Sequence, residues 1–139
     1  MLLITAFYSL VFIITSGHVE MRRMLHHADT LNSAFWNIWS DFLARGNLKY
    51  IGYAYIITAV AIVVLSFARR QNYDKYQTDI LKKGLITAGV ALLCLFPIAL
   101  LLIISEPNYS IETIIFLAVV HWSAALVADL VYVVKQSGT

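Results

Sequence analysis

The sequence predicts an all-α, polytopic integral membrane protein with four transmembrane helices and one interfacial amphipathic helix. Three observations predict it: the composition, four uncharged or nearly uncharged apolar runs, and one short run with helical apolar periodicity. Of 139 residues, 60% are hydrophobic and 13% charged, against roughly 45–50% and about 25% in a soluble domain. The mean hydropathy is +0.77. Too few charges remain to coat a water-exposed surface, so the expectation is a single transmembrane domain over residues 1–139.

Crossing the ~30 Å hydrocarbon core takes roughly 20 apolar residues in a helix. The expected spans are residues 2–17, 50–68, 84–104 and 114–134. The first is short, and residues 19–25 are a candidate extension. No basic stretch precedes it and no A-x-A pattern follows, so it reads as a retained span rather than a cleaved leader. Backbone in lipid must bond to itself, which makes these runs helices. They lack the alternation of a membrane β-barrel.

The connections differ in character. Residues 30–45 read as the amphipathic helix. Leu31, Ala34, Phe35, Ile38, Trp39, Phe42 and Leu43 recur on one face, with Asn32, Ser33, Asn37, Ser40 and Asp41 on the other. Asp29 is the expected N-cap and Gly46 the expected stop. Trp36 and Trp39 suit the headgroup region, and Phe35, Trp36, Trp39 and Phe42 are candidates for docking a partner. The helix either lies on the bilayer or packs over the bundle. The second connection is basic. Capping-box spacing at Asp74–Gln77 starts the third helix near Lys75, Asp79 and Lys83 form an i,i+4 pair, and Pro97 is expected to kink the helix at its middle. The third connection, with Glu106, Pro107 and Asn108, is a tight turn. Ser110 or Asn108 caps the last helix and Glu112 lies in its first turn.

Six of the ten basic residues (Arg69, Arg70, Lys75, Lys82, Lys83 and Lys135) fall on the side of the second connection. Four (Arg22, Arg23, Arg45 and Lys49) fall opposite. The bias places both termini in the cytoplasm. The basic stretch, apolar span and acidic Pro-Asn turn are similar in style to small bacterial membrane proteins, so the expected location is a bacterial plasma membrane. The net charge of +2 gives no reason to expect nucleic acid. The expected partners are the bilayer and a membrane-protein partner or a second copy of the chain.

Ionisable residues at membrane depth cost about 2.5–3.5 kcal/mol on insertion scales and mark function by default. His121 and Asp129 in the fourth span are the leading candidates, as a relay or transport pair. Eight residues apart, they differ by about 80° around the helix and ~12 Å along it, so they share a groove without touching. The alternative is structural: His121 bonds a neighbouring helix and Asp129 sits near the interface by Tyr132 and Lys135. His18 could pair with His121 on haem or copper, which prefer imidazole, though their depths differ. Glu20, His26 and His27 are surface titratable or ligand candidates. Adjacent histidines diverge by ~100° on a helix, and Arg23 repels a cation there, so no metal is predicted. Tyr8, Tyr50, Tyr53 and Tyr55 read as an aromatic belt. Gly84, Thr87, Ala88 and Ala91 form a small-residue packing face. The single cysteine, Cys94, precludes an intramolecular disulfide.

No phosphate loop, nucleophile triad or zinc helix is present, so no catalytic residue is assigned. The leading expectation is a non-enzymatic accessory or regulatory subunit of a membrane complex. The alternatives are an oligomeric proton- or cation-coupled transporter or channel using His121 and Asp129, and a haem- or quinone-linked redox subunit.

Overall fold

A computed structural model describes residues 1–25, 33–68 and 73–137, with side chains over 1–25, 33–68 and 78–135. All regular structure among them is helical: α1 Leu2–Gly17, α2 Val19–Met24, α3 Ala34–Ala44, α4 Leu48–Phe67, α5 Tyr73–Ser105 and α6 Ser110–Ser137, with a 3₁₀ turn Pro107–Tyr109 before α6. Three segments are long and apolar enough to cross a membrane: Leu48–Phe67, Thr78–Ser105 and Pro107–Lys135. The first helix is apolar but shorter, at 16 residues.

The packing is that of a protein solvated by lipid. Helix α1 buries Thr5, Ser9, Phe12 and Ser16 at alternating four- and three-residue steps. It exposes Leu3, Phe7, Leu10 and Ile14. In water this would be inside out. In lipid an outward leucine loses nothing, and helices associate through small residues that let backbones approach. Helix α4 answers with Leu48, Gly52, Tyr55, Ala59 and Ile62 at the same steps. A Cβ at Gly52 would stand 3.0 Å from the Ser9 carbonyl oxygen and from Ile13 Cγ1. The two buried serine hydroxyls bond within their own helix: Ser9 donates to Thr5 O at 2.8 Å and Ser16 to Ile13 O at 2.8 Å.

Helices α5 and α6 form the other extensive pair, and α4 joins the two pairs through α6. The predicted small-residue face of α5 points inward, with Gly84 and Ala88 buried and Thr87 and Ala91 half-buried. Met1 lies against Gly84, which also touches Asp129, while Tyr8 meets His121. The first and last helices therefore run antiparallel.

Several expectations are revised. Residues 19–25 do not extend α1, because His18 is extended (φ −80°, ψ 126°) and breaks the helix. Helix α3 starts at Ala34 with Ser33 as N-cap, its hydroxyl accepting from Trp36 N; Asp29 lies outside the described residues. The predicted stop holds. Gly46 has φ 72°, Gly46 N donates to Leu43 O at 2.9 Å, and Asn47 N to Phe42 O at 3.2 Å. That is a Schellman end, which favours glycine because an L side chain is strained there. The Asp79–Lys83 ion pair is not formed; the Lys83 ammonium lies 3.7 Å from the centroid of the Tyr132 ring. Helix α5 begins at Tyr73 and continues through Pro97, and the capping-box side chains Asp74–Gln77 lie outside the described ones.

Helix α3 packs over the bundle, on a face rotated from the predicted one. Trp36, Ser40 and Leu43 are buried, Trp39 and Phe42 are half-buried, and Phe35 and Ile38 are exposed. The polar Ser40 turns inward because a buried acceptor awaits it on α6. Trp36 stacks on Tyr109 at 6.1 Å between ring centroids, and the Tyr109 hydroxyl donates to Asn37 Oδ1 at 2.8 Å.

Candidate functional site

Helix α6 turns His121, Trp122, Ala125, Leu126, Asp129 and Val133 toward the other helices. The stripe follows the three-and-four spacing of one helical face. The two ionisable members meet different surroundings.

His121 is fully engaged. Its Nδ1 lies 3.0 Å from Leu117 O, one turn back, and its Nε2 lies 2.8 Å from the Tyr8 hydroxyl. A carbonyl oxygen can only accept, so Nδ1 carries the hydrogen, and Nε2 accepts from Tyr8. Tyr8 stacks nearly parallel on Trp122, with centroids 4.8 Å apart and an interplanar angle of 5°. Trp122 Nε1 donates to Thr5 Oγ1 at 3.3 Å. Beside this cluster the Tyr55 hydroxyl donates to Val119 O at 2.7 Å and lies 2.9 Å from Ser123 Oγ. Tyr8 and Tyr55 are thus interhelical ties rather than belt residues, because their hydroxyls reach α6 from α1 and α4. Only Tyr50 and Tyr53 keep the exposure a belt requires.

Asp129 is the opposite case. It is 0% exposed. Neither carboxylate oxygen has a hydrogen-bond partner among the described residues, and no described cation lies within ion-pair distance. Its carboxylate rests on the backbone of α5: a Cβ at Gly84 would stand 2.6 Å from Oδ1 and 2.9 Å from Oδ2. A cavity of about 520 Å³ opens beside it, between the start of α1, the end of α4 and the first turns of α5 within the apolar span. Leu3, Ile62, Phe67 and Leu126 supply apolar wall, and Thr5, Ser66 and Thr78 supply hydroxyls. No ion pair joins Asp129 to Lys135, and the Tyr132 ring meets Lys83.

The remaining candidates are not brought together. His18 is exposed at the end of α1, roughly 15 Å along the axis from Tyr8. Both nitrogens of His121 are already bonded, so the geometry gives the His18–His121 haem or copper pairing no support. Glu20 pairs with Arg23 at 3.1 Å on an exposed surface. His26 and His27 lie outside the described residues. No group of three or more His, Cys, Asp or Glu side chains could hold a metal among the described residues. Of the aromatics expected to dock a partner, Trp36 is buried within the chain. Trp39 donates from Nε1 to Glu112 O at 3.0 Å and stacks on Phe42. Phe35 is exposed and edges onto Phe116.

One buried acid escaped the sequence reading. Glu112 is 0% exposed, and its Oε1 accepts from Ser40 Oγ at 2.9 Å. A first-turn glutamate ordinarily reads as a partner of the exposed helix end. The available signal was Ser40, a hydroxyl among aromatics, one turn from Trp36 on α3. Comparisons with protein-family models, with curated proteins and with solved structures find nothing that matches this chain.

Proposed function

We propose that the chain is an integral membrane protein of the transport class, in which Asp129 takes up and releases a proton or cation. The observation that carries the reading is the Asp129 carboxylate: fully buried, unbonded at both oxygens, and beside a cavity. Desolvating an ion costs several kcal/mol unless a partner offsets it. A carboxylate kept for structure gains partners from the chain; one kept for exchange leaves its lone pairs to the ligand.

In this reading α1 is a fourth span. Its 16 residues rise about 24 Å, a shortfall that thinning of the bilayer and flanking residues accommodate. The excess of Lys and Arg beside the second connection puts the cavity end in the cytoplasm. Four spans in one chain rarely enclose a path alone, so transport in this reading uses a homo-oligomer. The accessory-subunit expectation relied on the aromatic face of α3 and the small-residue face of α5. Both are largely occupied within the chain, so no specific observation favours it.

The test is flux in vesicles. Purified protein is reconstituted with an internal pH dye and a potential is imposed. Proton or alkali-cation entry faster than in protein-free vesicles, lost in Asp129→Asn, is expected. Wild-type vesicles no more permeable than empty ones would sink the proposal.

A further inference from the structure

Resting on the reading of Asp129 as a cation site, we propose that the cavity beside it takes an organic cation with an apolar body, such as a lipophilic amine or onium compound, rather than a bare metal ion.

Size is the first argument. A cavity of about 520 Å³ falls within the roughly 300–1,000 Å³ of sites for drug-sized ligands. A dehydrated metal ion would fill a small fraction of it.

Ligand supply is the second. Calcium takes about 6–8 oxygen ligands and magnesium keeps several waters in a strict octahedron. Here one carboxylate is joined by hydroxyls from three different helices, Thr5, Ser66 and Thr78. Thr5 Oγ1 already accepts from Trp122, and Ser66 already donates to Ile62 O at 2.6 Å. Among the described residues that line the cavity, no second acid, histidine or cysteine accompanies Asp129.

Wall chemistry is the third. Leu3, Ile62, Val63, Phe67 and Leu126 would meet a hydrated ion with apolar surface. An onium compound uses both features. Its charge is drawn toward the unbonded carboxylate, which it meets once a lining side chain moves aside; low dielectric strengthens the attraction, and its hydrocarbon covers the walls. The hydroxyls lie at the periphery of such a ligand, so their existing bonds need not break.

The experiment is equilibrium dialysis of the full chain in mild detergent against labelled methyltriphenylphosphonium. Triphenylphosphine oxide serves as the neutral match, and empty micelles as the blank. Saturable binding of the cation is expected, with no binding of the neutral compound above the blank. Asp129→Asn should weaken cation binding at least tenfold. Val63→Trp should weaken it comparably, because it fills the cavity from a half-exposed wall and leaves the carboxylate in place. If Asp129→Asn does not fold, Val63→Trp decides alone. At constant ionic strength, millimolar sodium or calcium should leave the bound cation in place. Equal retention by wild type and both variants would show micelle partitioning only and overturn the proposal; displacement by either metal would overturn it in favour of an ion site. Vesicle flux separates this failure from failure of the parent reading. If Asp129→Asn abolishes proton flux while the onium compound does not bind, the ligand class is wrong and the exchange role of Asp129 stands.

Discussion

Helix α6 carries two fully buried carboxylates, Glu112 near its start and Asp129 near its end, about 25 Å apart along the axis. Their burial is the same and their company is not. Glu112 accepts a hydrogen bond from Ser40 through Oε1, and its carbonyl accepts one from Trp39. At the same end of the helix, Trp36 of α3 stacks on Tyr109 of the 3₁₀ turn and meets Phe116 of α6 edge-on. Asp129 touches a glycine backbone and a cavity. Burial alone therefore does not mark a working residue; what separates the two is that Glu112 has a hydrogen-bonded carboxylate oxygen and Asp129 has none. A charge embedded with partners is costly to remove, because the partners are stranded. A charge embedded without them is costly to keep.

The largest effect follows from the second case. Asp129→Asn keeps the shape and removes the charge. Vesicle flux should fall by about a hundredfold or more, the size expected when ~3 kcal/mol of charge interaction is lost. Folding should not suffer: the midpoint of unfolding in mixed detergent should stay or rise. A variant that unfolds instead would make Asp129 a structural residue and erase the contrast with Glu112.

The reverse pattern is expected at Glu112. Glu112→Ala strands the Ser40 hydroxyl and opens a void, and should destabilise by about 3 kcal/mol. Glu112→Gln keeps an acceptor for Ser40 and should cost ~1 kcal/mol. Flux per folded molecule should be unchanged in both. Loss of flux in Glu112→Gln at full stability would give this end of the helix a role in exchange.

How much of this was legible depends on what lipid does to sequence signals. The helices of α4, α5 and α6 were readable because a membrane demands long uncharged runs. Their facing was not readable by the usual rule, since α1 hides Thr5, Ser9 and Ser16 and shows its leucines. Asp129 stood out as a lone acid in an apolar run, and its cavity depends on where α1, α4 and α5 end. Glu112 looked like an ordinary first-turn acid, because only tertiary packing brings Ser40 to it. The rotation of α3 has the same origin: aromatic residues on most of its circumference leave periodicity indifferent, and one buried acceptor chose the face.

Gly84 sharpens the comparison from the other side of the contact. Gly84→Ala places a methyl 2.6 Å from Asp129 Oδ1 and 2.6 Å from Met1 Cε. Overpacking of this kind costs about 2 kcal/mol, and the carboxylate must shift. Reduced flux at modest loss of stability is expected. Gly89, where an added Cβ meets nothing within 4 Å, is the control: Gly89→Ala should leave both readouts unaltered. Unchanged flux in Gly84→Ala would mean that the position of the carboxylate does not matter.

The smallest effect concerns His121, the polar residue that the fold does satisfy. Tyr8→Phe removes the hydroxyl that donates to Nε2 and keeps the ring stacked on Trp122. The loss should be about 1 kcal/mol, that of one partly buried hydrogen bond, read as a small shift in the unfolding midpoint. Flux should not change, because His121 is bonded at both nitrogens and sits ~12 Å up the helix from Asp129. A collapse of flux at intact stability would contradict that. It would extend the exchange path from the cavity past Thr5 and Trp122 to the Tyr8–His121 pair, and so make the satisfied residue a participant rather than a tie between helices.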